Sequence, residues 1–123
     1  MLYTSHWNIH NFNKDTITYK VYEFMSELYP NLKTVEIEAI TKDLSEDNVF
    51  GWTTENNDQQ EIELHYDLSN KDFATTFIHE LIHVDQNVRG LRDDEERENE
   101  AYSLEGILTN QFFNQNPQFL NKC

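Results

Sequence analysis

The segment His79-Glu80-Leu81-Ile82-His83 holds three side chains whose types and spacing could do chemistry together. On an α-helix, residues four apart stack on one face. His79 and His83 would then aim both imidazoles at one point, as two ligands of a Zn²⁺ ion must. Glu80 stands one step round the helix, where it is placed to act as general base for water activated at the ion. The chemistry implied is hydrolysis, with a peptide bond as the expected substrate. The plainer alternative is two histidines bordering a buried helix, with Glu80 in solvent. The surrounding sequence favours the metal.

A catalytic zinc site takes three protein ligands and keeps one position open. The pattern His-Glu-x-x-His-x-x-Gly-x-x-His would supply a third histidine, but Gln86 and Arg89 occupy the positions it requires. No histidine follows His83, so a carboxylate is expected. The stretch from Asp93 to Glu100 is rich in them. Glu96 and Glu100 share one helical face at i and i+4. Glu100 leaves room after His83 for a helix stop, a short turn and the opening turns of a second, antiparallel helix. It also precedes Ala101, the first residue of an apolar stripe, which puts it at the edge of a packed face. Glu100 is therefore the expected third ligand, with Glu96 in reserve. Glu95, Glu96 and Glu98 otherwise read as a solvated face that complements the helix dipole.

His79-Glu80-Leu81-Ile82-His83, followed by Asn99-Glu100-Ala101-Tyr102-Ser103, resembles the gluzincin metallopeptidases. In thermolysin-like members a His-Glu-Leu-x-His helix precedes a helix carrying Asn-Glu-Ala. The likeness runs from Ser69 to Glu105. It implies a zincin-like fold, zinc held by His79, His83 and Glu100, Glu80 as general base, and a peptide or protein substrate. The family often has Asp four residues after the glutamate ligand, holding a ligand histidine. That position is Leu104 here, and Ser103 and Glu105 are the neighbours open to the role. Larger gluzincins carry a further C-terminal domain, so this chain looks like a minimal single-domain form. The resemblance also implies that the strand before the zinc helix, Glu61 to Tyr66, edges the cleft and pairs with an extended peptide. Outward charges on an edge strand suit protection from aggregation equally well. Tyr66, His65 and Tyr102 are candidates by location for a donor to the oxyanion.

The elements that must position these groups are well signalled. Ser69 and Asp72 fit a capping box, and Phe73, Phe77, Leu81, Val84 and Val88 form a stripe at the helical period. Arg89-Gly90 is a natural stop, so a helix is predicted over 70–89. A second helix follows, with Ala101, Leu104, Leu108 and Phe112 as its apolar stripe. Upstream, Ile17, Val21, Phe24, Met25 and Leu28 predict a helix over 15–29 that ends at Pro30. Alternation predicts strands at 34–40, 49–54 and 61–66, the second with a bulge at Gly51-Trp52 and a hairpin loop at 55–58. The expected class is α+β: an N-terminal helix, a small three-stranded sheet, the active-site helix and a second ligand-bearing helix. The tail from Asn114 to Cys123 is expected to fray. His6 and His10 share the four-residue spacing without helical support and read as surface residues.

The chain has 123 residues, enough for one domain, and its eight Phe, six Tyr and two Trp supply bulk for one core. The formal charge of −14 argues against nucleic-acid binding, since a phosphate polyanion would be repelled. Acids are spread over both halves, so they predict a solvated surface and leave open a preference for basic partners. No apolar run is long enough to span a bilayer, and residues 1–14 lack the form of a signal peptide. The lone Cys123 cannot form an internal disulfide. These features favour a cytosolic setting, with signal-independent export an open alternative. No Gly-rich phosphate loop exists. A second function class stays open too: a zincin-like fold that has lost proteolysis and serves as a binding or assembly module, with zinc kept for structure.

Overall fold

Alternation of apolar and polar residues builds a sheet, and stripes at the helical period cover one face of it. A computed structural model describes residues 1–7, 14–56 and 59–120. These form an α+β arrangement of three α-helices and a mixed four-stranded sheet. Strands β1 (Leu2–His6), β2 (Glu36–Lys42), β3 (Gly51–Asn56) and β4 (Gln59–His65) lie in the order β1-β2-β4-β3. The first two pairings are parallel, and β3 runs antiparallel to β4. In β4, buried Gln60, Ile62 and Leu64 alternate with half-buried Glu61, Glu63 and His65. Ile37 and Ala39 of β2 belong to the same buried set.

Helix α1 (Asp15–Leu28) contributes Ile17, Val21 and Met25 to the core at a four-residue spacing. Helix α2 (Asn70–Arg89) packs against the sheet, α1 and helix α3 (Asp94–Gln115). It is therefore buried on several sides. Phe73 and Phe77 of α2 and Phe112 of α3 are fully enclosed, each worth about 2 kcal/mol of apolar burial. Phe112 meets Phe24 of α1 edge-on, with ring centroids 5.8 Å apart, which ties the far end of α3 to α1.

Three sequence expectations change. There are four strands and not three, because Leu2–His6 forms β1 against β2. Only Leu2 of that strand is buried, so its alternation is too weak to register. The strand before α2 is not an edge: β4 lies between β2 and β3, and β3 is the edge. Gly51 makes no bulge but pairs in register with Leu64. A Cβ there would stand 2.8 Å from both the Glu63 carbonyl oxygen and the Thr76 methyl, so glycine lets β3 lie close over α2. The expected hairpin loop includes residues 57 and 58, outside the described residues. Of the tail expected to fray, α3 takes the residues up to Gln115, Phe119 stacks on Phe112, and the Phe119 carbonyl accepts a hydrogen bond from Asn70 at 2.9 Å, while residues 121–123 lie outside the described residues. No helix among the described residues is long and apolar enough to cross a membrane.

Candidate metal centre

The two ends of α2 fix its register. The Ser69 hydroxyl accepts the Asp72 amide at 3.1 Å, a cap worth about 1 kcal/mol. Gly90 closes the helix with φ of 79°, a left-handed value that glycine adopts without strain. The Gly90 amide bonds the Asn87 carbonyl and the Leu91 amide bonds the Gln86 carbonyl, a Schellman closure. Three residues later Asp93 caps α3 by accepting the Glu96 amide at 3.0 Å. Positions that rise along α2 face positions that fall along α3, as in an antiparallel pair: His79 meets Glu105, and His83 meets Glu98.

His79, Glu80 and His83 follow one another along a rim of α2, and His79 and Glu80 are buried. Glu98 Oε1 lies 2.8 Å from His83 Nε2 and 3.3 Å from His79 Nε2. One ligand atom from each residue falls within 4.8 Å of the others. A tetrahedral zinc site has ligand–ligand edges of about 3.4 Å, so both distances to Glu98 are of the right order.

The far sides of the two rings are held as well. His79 Nδ1 is 3.1 Å from Glu105 Oε2, and His83 Nδ1 is 2.8 Å from Gln86 Oε1. Gln86 is fully buried, and its amide nitrogen donates to Glu100 Oε1 at 2.9 Å and the Arg97 carbonyl at 3.0 Å. With that nitrogen spent on acceptors, the Gln86 oxygen must accept from His83, so Nδ1 carries the proton there. A carboxylate on His79 Nδ1 demands the same tautomer. A ring with its proton on Nδ1 alone turns an Nε2 lone pair toward the Glu98 carboxylate. Acceptors facing acceptors need a cation between them: a proton on one ring, or a metal ion held by all three at once. Two imidazoles and a carboxylate are a donor set suited to zinc.

Glu100, the expected third ligand, is not brought to this point. Its carboxylate takes Gln86 and the Arg89 guanidinium. Burial alone would raise its pKa, but the Gln86 and Arg89 hydrogen bonds and the Arg89 charge outweigh that and hold it below the usual carboxylate range. Glu96 is exposed in the first turn of α3. Glu98, read from the sequence as solvated face, is the acid that meets both histidines, with its side chain about half exposed (47%). The signal was periodic. Glu98 lies three residues before the buried Ala101, four before Tyr102 and seven before Glu105, all on one helical face. Glu100 lies about 100° round from Ala101.

Glu80 is the general-base candidate. Its Oε1 accepts the Thr53 hydroxyl of β3 at 2.7 Å. Burial pushes the Glu80 carboxyl above the ordinary range; the Thr53 hydrogen bond and the His83 and His79 imidazoles oppose this, and Glu98 adds to it. The site opens into a cleft of about 770 Å³, with His79, Glu80 and His83 on α2, Phe50 and Thr53 on one wall, and Arg97, Tyr102 and Glu105 on the other. Of the three oxyanion-donor candidates, Tyr102 lines this cleft, its ring centroid 4.9 Å from that of His79. His65 instead accepts the Leu44 amide at 3.0 Å, and Tyr66 packs against His65. His6 ends β1 and pairs with Asp15 at 2.9 Å, while His10 lies outside the described residues. Thr53, Gln86 and Arg97 carried no sequence signal, since each matters through tertiary neighbours.

Compared with known proteins, the chain matches no family model, no curated protein and no solved structure.

Proposed function

We propose that this chain is a zinc-dependent peptidase of zincin-like form, with His79, His83 and Glu98 holding the ion and Glu80 as general base. The observation that carries this is the convergence of two Nε2 atoms and a carboxylate oxygen on one point, with the outer nitrogen of each ring already engaged. When bound, a divalent ion supplies Lewis acidity toward water and a scissile carbonyl.

The remaining chemistry falls to side chains of this chain. Glu80 accepts a proton from the attacking water and returns it to the leaving nitrogen. A carboxyl whose pKa is pushed up holds that proton more readily between the two steps. The Thr53 hydroxyl fixes Oε1 and leaves Oε2 of Glu80 for water. Tyr102, beside His79 in the cleft, is the nearest phenol to a developing oxyanion. Edge strand β3 pairs with β4 on one side only among the described residues, so its other side offers backbone donors and acceptors to an extended peptide. That role passes to β3 from the strand at 61–66.

The test is metal stoichiometry joined to turnover. The purified chain should carry one equivalent of zinc, lost in His79→Ala. Glu80→Gln should keep the metal and lose about 10²- to 10⁴-fold in peptide turnover. One equivalent of zinc, with no peptide cleaved across a broad library, would assign the chain to the binding-module class instead.

A further inference from the structure

The arginines of the α2–α3 region other than Arg97 each have a carboxylate partner. Arg89 pairs with Asp85 and Glu100, and Arg92 pairs with Glu55 at 3.3 Å. Arg97 is the exception. No carboxylate among the described residues reaches its guanidinium within ion-pair distance, in a chain with 23 acids. Among the described residues the guanidinium makes one hydrogen bond, from Nη1 to the Leu91 carbonyl at 2.8 Å. Arg97 is half-buried and lines the cleft beside Glu98.

The other charges of that cleft have work. Glu98 faces the two histidines, Glu105 holds His79, Glu80 is fixed by Thr53, and Asp94 sits at the start of α3, where a negative charge complements the helix dipole. Among the described residues Arg97 is thus the one permanent cation on the cleft wall, and four of its five N–H groups are uncommitted there. Its charge is felt at Glu55 on edge strand β3, but that carboxylate is already engaged by Gln60 and Arg92. A guanidinium presents a planar fork that matches a carboxylate in two parallel hydrogen bonds.

We infer that Arg97 is a specificity residue that binds a carboxylate of the substrate beside the metal-ligand cluster. This rests on the peptidase assignment and narrows it to substrates bearing a negative group near the scissile bond. The carboxylate has two possible sources, a peptide's free C-terminus or an internal Asp or Glu side chain, and Arg97 would grip either by the same fork.

The probes are blocked hexapeptides in matched pairs. One pair ends in a free carboxylate or a carboxamide; the others carry Glu or Gln at each internal position. The wild-type chain should favour one acidic member over its neutral twin by about tenfold or more in kcat/KM, with the difference in KM. Preference for the free acid assigns the C-terminus, and preference for internal Glu assigns the side chain. Arg97→Met should bring the ratio near one, Arg97→Lys should restore part of it, and Arg97→Glu should turn the preference toward lysine-bearing peptides. A ratio near one in the wild type, or a ratio that survives Arg97→Met while both members slow equally, would overturn the inference and leave Arg97 as a tie to Leu91. If no peptide is cleaved, the same ratio is read by calorimetric binding to the zinc-loaded Glu80→Gln chain. Silence in turnover then counts against the peptidase assignment, while absence of an acidic preference in binding counts against Arg97.

Discussion

Gln86 Oε1 lies 2.8 Å from Nδ1 of His83, and the nitrogen of the same amide is shared between Glu100 and the Arg97 carbonyl. One buried side chain thus sets the tautomer of a candidate ligand and joins it to α3. Gln86→Leu should weaken zinc binding by about 10- to 100-fold, the usual cost of losing an outer partner of a ligand histidine. It should also destabilise the fold by about 1–3 kcal/mol, because two acceptors lose their donor. Competition with a chromophoric chelator and urea unfolding measure the two effects. Unchanged metal affinity would mean that His83 needs no such support.

The two acids on α3 are separable. Glu98→Ala should remove stoichiometric zinc at micromolar concentrations. Glu100→Gln should retain it with a loss no greater than about a hundredfold, since Glu100 acts through Gln86. The same titration decides between them, and a larger loss at Glu100 would return the ligand role to that residue.

Thr53→Val tests the proposed general-base role of Glu80. Glu80 must be ionised to accept a proton, so the acid limb of kcat/KM follows its pKa. Burial raises that pKa and the Thr53 hydroxyl lowers it. Removing the hydroxyl should move the acid limb to higher pH, with a larger loss of activity at pH 5 than at pH 8. A parallel drop at all pH values would show that Thr53 does not tune Glu80.

Gly51→Ala tests the approach of β3 to α2. The added methyl would meet the Glu63 carbonyl and the Thr76 methyl at 2.8 Å, and a backbone oxygen cannot swing away. Overpacking of this kind should cost about 1–3 kcal/mol in urea unfolding, and it should lower turnover by shifting Thr53 from Glu80. Wild-type stability in the variant would show that the strand has room to spare.

Helix α2 was legible in the sequence almost to the residue, because its signals are local: Ser69 and Gly90 cap it and its apolar stripe repeats at 3.6. Strand β1 was not, since Tyr3, Ser5 and the rest of Leu2–His6 acquire their conformation from parallel pairing with residues 37–41. The edge role of β3 was hidden for the same reason: the order of strands in a sheet is a tertiary fact. The mutual placement of the histidine pair and Glu80 follows from one helix and was legible. The acid that meets them comes from a second helix, and choosing between Glu98 and Glu100 needed the rotation of that helix about its axis. Adjacency to Ala101 pointed to Glu100, whereas the three-residue spacing to Ala101 and the seven-residue spacing to Glu105 pointed to Glu98.

The β3–β4 hairpin and the α2–α3 pair, which together hold every group of the candidate site, are joined by neighbours in the chain. Strand β1, by contrast, must wait for a partner 35 positions away, as in Leu2 with Ile37. Closing long loops before contacts reward them is slow. The chemical half of the molecule should therefore assemble early and the N-terminal strand dock last, an order that pulse-labelled hydrogen exchange would register as protection of β4 amides ahead of those in β1.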